Sequence, residues 1–77
     1  MNKQLKAAGK AVKILTKNIS YSYDVFINKN SGLVPEGFWL VDYHAVRGIA
    51  GKLQYISISP EGEMFGNMGL GWFKLKN

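Results

Sequence analysis

Residues 2–18, NKQLKAAGKAVKILTKN, decide the fold. Leu5, Ala8, Val12 and Leu15, with Ile19 just beyond, recur at spacings of three and four and so gather on one stripe of a helix. Lys3, Lys6, Lys10, Lys13 and Lys17 recur at the same spacings. At about 100° per residue they form a second stripe, centred about 160° from the first. Asn2 is placed to cap the start and Asn18 to end the helix in a left-handed conformation, while Gly9 weakens its middle. The apolar side is mostly Ala, Val and Leu, a small-residue face suited to lying on a sheet.

Outward from this helix, the chain is organised as strands. Residues 20–27 alternate, with Tyr21, Tyr23, Val25 and Ile27 on one face and Ser22, Asp24 and Phe26 on the other. Asn28 to Gly32 is a turn cluster. Residues 38–43 are a dense apolar run entered through Pro35 and Gly37, and residues 44–51 are a short connection or one helical turn. Residues 52–59 form a strand with Leu53, Tyr55 and Ser57 opposite Gln54, Ile56 and Ile58. Ser59-Pro60-Glu61-Gly62 has proline where a type I turn fixes φ and glycine where the following bulge needs a positive φ. A tight hairpin into residues 63–65 follows. Gly66, Gly69 and Gly71 mark a bend, and residues 72–76 close the chain as a last strand.

The expected fold is therefore α+β: an N-terminal amphipathic helix (1–19) packed on an antiparallel sheet of four to five short strands (20–77). One helix covers only one face of a sheet, yet several strands are apolar on both. The sheet must curl into a partial barrel or pack against another chain, and self-association is the expectation for so short a domain. A basic helix followed by a bent five-stranded barrel is similar in layout to the Sm-like RNA-binding proteins. Gly32, Gly37 and Asp42 echo the Gly…Gly…Asp order of their first motif. The spacing differs and no second motif follows, so the likeness is one of architecture and names no family.

Composition narrows the function classes. Seventy-seven residues make one domain. No cysteine is present, which rules out disulfides and fits a cytoplasmic protein, in a host cytoplasm if the chain is viral. His44 is the single histidine, too few for a closed zinc site, and no cofactor motif is present. No apolar run is long enough to span a bilayer, and no secretory leader pattern opens the chain.

The net charge of +5 is unevenly placed. Five lysines precede the first acid, Asp24, and thereafter five basic residues balance five acidic ones. The whole excess sits on the helix. Four neighbouring lysine pairs repel at i,i+3 or i,i+4, and Lys3 and Lys6 stand where the helix dipole favours acids. A solvated face would ordinarily mix in glutamates, so a stripe accepting these penalties points to a binding surface. Lysines reach phosphates as flexible point charges, giving affinity without base readout. Arg47, the single arginine, lies outside the stripe.

The expected function is thus non-enzymatic binding of nucleic acid through Lys3, Lys6, Lys10, Lys13 and Lys17. The alternative is a small protein-binding effector or inhibitor meeting an acidic partner surface, a class that includes phage-encoded modules. A membrane-surface-active protein comes third, because interfacial helices carry Trp, Phe or Leu on their apolar side. Ten aromatics offer a stacking platform or simply core, with Tyr21, Tyr23, Trp39 and Tyr43 the candidates for exposed contacts. Asp42, His44 and Arg47 lie close in sequence, but no second acid–base group completes a mechanism, and no catalytic residue is assigned.

Overall fold

The computed structural model describes residues 2–18, 25–43 and 53–75. Helix α1 spans Lys3–Asn18, followed by strands β1 (Val25–Asn28), β2 (Trp39–Tyr43), β3 (Tyr55–Ile58), β4 (Met64–Asn67) and β5 (Trp72–Lys74). The strands form one antiparallel meander in chain order, β1-β2-β3-β4-β5. β1 and β5 are its two edges. The α+β architecture is as the sequence implies, and the sheet is open. It does not close into a barrel.

Asn2 caps α1 as expected: its Oδ1 accepts from the backbone N–H groups of Gln4 (2.8 Å) and Leu5 (3.4 Å). At the other end Asn18 is the last helical residue, and no non-glycine among the described residues has a positive φ. The left-handed ending expected at Asn18 is therefore not formed.

The helix lies over β1, β2 and β3. The residues it buries are Gln4, Ala7, Ala8, Ala11 and Leu15, with Val12 and Ile14 half-buried at the margins. This differs from the expected stripe, because Leu5 is 53% exposed. The helix is rolled by about 60° around its axis relative to that expectation. The cause is packing and one polar contact. Three alanines bring the helix backbone close to the sheet, and Gln4 Nε2 donates to the carbonyls of Gly37 (2.8 Å) and Ile58 (3.3 Å). A buried glutamine thus occupies a core position because its amide is satisfied there.

Register builds the core beneath. Val41 lies opposite Ile56, Trp39 opposite Ile58, and Ile58 opposite Met64. Val41, Ile56, Ile58 and Met64 are fully buried together with Ala8, Ala11 and Leu15, and Val25, Trp39, Leu53 and Leu75 pack around them. Leu53 joins this side although its parity matches Tyr55. The Gln54 N–H donates to Asn67 (2.8 Å), the residue that also faces Tyr55, so two consecutive residues meet one and the strand bulges. That corrects the face assigned to Leu53. Gly66 lies within β4 opposite Phe73, not in the bend. A Cβ there would stand 2.8 Å from Leu53 and 3.2 Å from Phe73 and Leu75.

The β3–β4 hairpin forms as expected. Gly62 N–H donates to the Ser59 carbonyl (2.9 Å), and Ser59 Oγ accepts from Glu63 N–H (3.0 Å). Gly62 has φ 90° and is buried against Lys3 at the start of α1. This turn therefore seats the helix as well as reversing the chain.

Candidate polyanion-binding helix face

The roll that buries Gln4 and the alanines leaves the lysines outside. Lys3, Lys6, Lys10, Lys13 and Lys17 are all exposed. The first turn holds no acidic residue, and no Asp or Glu occurs anywhere in α1. Lys3, Lys6 and Lys10 line a cleft of about 190 Å³ together with Ala7, Glu61 and Gly62. The hairpin turn thus forms one wall, and Glu61 is the single acid at it. Lys13 and Lys17 continue the row along the helix. Among the described residues the ion pair in evidence is Lys74 with Glu63 at 3.0 Å, on β5 and beside β4. None of the five helix lysines is in it. Glu61 is thus the one acid beside the row, and it forms no ion pair with it.

The aromatic candidates fare differently. Tyr21 and Tyr23 lie outside the described residues, as do His44 and Arg47. Trp39 is half-buried and packs against the core on the helix side, with Lys29 Nζ 4.6 Å from its ring centroid. Tyr43 pairs with Val25 at the end of β2. Asp42 is buried, 2% exposed, on the face opposite the helix.

That opposite face holds aromatics the sequence reading did not single out. Phe38 and Phe65 meet at 6.1 Å, and Tyr55 and Trp72 at 5.7 Å, the latter two flanking Asn67 from either side. Pro35, Phe38, Ser57, Phe65 and Trp72 line an apolar cleft of about 190 Å³. Strand parity alone could have placed Tyr55 and Phe65 together. The contribution of Pro35 and Phe38 depends on how the β1–β2 connection folds over the sheet. The lysine row and this aromatic cleft therefore lie on opposite sides of the sheet.

No group of three or more metal-ligating side chains occurs among the described residues, and no helix among them is long and apolar enough to cross a membrane. No family model, curated protein or solved structure matches the chain, so the site is read from its own chemistry.

Proposed function

We propose that this protein is a non-enzymatic binder of nucleic acid, holding the phosphate backbone on the lysine face of α1. One observation carries the reading: five exposed lysines stand in a row on a helix without a single acidic residue. Such a row gains by releasing counterions from a polyanion and offers no planar donor fork to read bases. The membrane-surface reading is weaker. An interfacial helix inserts its apolar side, and here that side is occupied by Val41, Ile56 and Ile58 of the sheet.

Because the aromatic cleft lies across the sheet from the lysines, the proposed mode is backbone contact without base stacking. The test is binding of single- and double-stranded oligonucleotides across a salt series, with wild type and a Lys6→Gln/Lys10→Gln/Lys13→Gln variant. Affinity that falls log-linearly with salt in the wild type, and more shallowly in the variant, supports the reading. Absence of binding at low salt, where screening is least, overturns it.

The apolar cleft of Pro35, Phe38, Phe65 and Trp72 favours a second reading, a small effector that docks a protein partner. A partner lost on Phe65→Ser but retained by the lysine variant would establish it.

A further inference from the structure

β5 is an edge strand with an unusual exposure. Trp72, Phe73 and Lys74 are all exposed, Trp72 and Phe73 each at 38%. The helix covers β1 to β3 and leaves the β5 end of its own side open. Native edges are ordinarily blunted by proline, bulges or unpaired charge. Here the one charge, Lys74, is already matched by Glu63.

The direction of the backbone groups follows from one bond. Leu75 N–H donates to the Met64 carbonyl at 2.9 Å, so it points toward β4. Backbone groups alternate along a strand, so those of Phe73 also point to β4, and those of Trp72 and Lys74 point away from the sheet. Two residues on this edge thus present a donor and an acceptor each.

We propose that β5 is the edge through which two copies of this chain pair, antiparallel, about a two-fold axis at Phe73. The register is self-complementary. Trp72 and Lys74 of one copy exchange backbone hydrogen bonds with Lys74 and Trp72 of the other, flanking a close, non-hydrogen-bonded Phe73 pair. On the helix side the two Phe73 rings cover each other. On the opposite side Lys74 of each copy stands directly across from Trp72 of the other, and on turning from Glu63 its ammonium makes a cation–aromatic pair there, twice by symmetry. Pairing of β5 with β1 lacks this match, and being head-to-tail it would give rings or open-ended assemblies without a two-fold axis at Phe73. The inference is independent of the polyanion reading.

Sedimentation velocity from low to high micromolar concentration tests it on the full chain. The expected result is a reversible transition that stops at twice the monomer mass, with Trp72 and Lys74 amides exchanging more slowly in the concentrated sample. Lys74→Pro removes an outward N–H together with the ion pair to Glu63, leaves the backbone bonds to β4 in place, and should weaken association at least about tenfold. Should that variant misfold, Trp72→Lys sets like charges directly opposite and should abolish the dimer. The double variant Trp72→Lys/Lys74→Glu should then restore it. A monomer at every concentration, growth beyond two copies, or a dimer indifferent to these changes in folded protein would overturn the proposal.

Discussion

The side-chain amide of Gln4 donates to the carbonyl of Gly37 at 2.8 Å, tying the first turn of α1 to the entry of β2 across 33 positions of sequence. With the second bond to Ile58, it fixes the roll of the helix and therefore the direction in which the lysine row faces. Gln4→Leu keeps the volume and removes the donor. The expected loss is about 1–3 kcal/mol, since two hydrogen bonds are lost, one of them buried. Urea unfolding with an unchanged m-value would measure it.

The same roll predicts opposite outcomes for two leucines of one helix. Leu15 is fully buried, so Leu15→Ala should cost about 2–5 kcal/mol, a large part of the stability of a small domain. Leu5 is 53% exposed, and Leu5→Ala should stay within about 0.5 kcal/mol of wild type. Equal losses at both sites, by thermal or urea unfolding, would mean that the helix faces the sheet with the stripe periodicity suggests.

Two glycines should respond with opposite signs. Gly9 is exposed in the middle of α1, with nothing within 4 Å of an added Cβ. Gly9→Ala should stabilise by about 0.5–1 kcal/mol through reduced freedom of the unfolded chain. Gly62 holds φ 90°, and its Cβ would stand 3.0 Å from Lys3. Gly62→Ala should cost about 1–3 kcal/mol. Calorimetry of both variants checks the signs.

The lysine row makes a quantitative claim about salt. Five phosphate contacts limit the log–log slope on duplex DNA to about −4.5, and two remaining contacts limit it to about −1.8. Lys6→Gln/Lys10→Gln/Lys13→Gln should move between these limits and weaken all sequences alike. Its melting temperature should hold or rise, because each of the four repelling pairs loses a member. A drop in stability would reveal that the lysines support the fold.

How much of this was legible from the residues differs by element. The existence of α1, its Asn2 cap and the 59–62 turn follow from local chemistry, because each depends on residues within a few positions of one another. The facing of the helix does not. Periodicity ranks Leu5 above Gln4, whereas the fold buries Gln4 because acceptors from the turn before β2 and from β3 converge on it. Parity placed Ile56 and Ile58 correctly and failed at Leu53, where the bulge at Gln54 and Tyr55 inverts the alternation. The charge of the lysine row was plain in the sequence. Its isolation from the aromatic cleft by a whole sheet was not, because that is a property of layers.

The strand order carries a consequence for how the molecule is made. Every strand pairs with its neighbour in the chain, so the sheet can zip up hairpin by hairpin with small loop-closure penalties. The helix is the exception. It is synthesised first, yet its seat is built from Gly37, Ile56, Ile58, Gly62 and Met64. A nascent chain must therefore carry an undocked cationic helix until the 55–67 hairpin has left the ribosome. The row of lysines that repel one another also keeps that waiting segment in water and away from premature hydrophobic company.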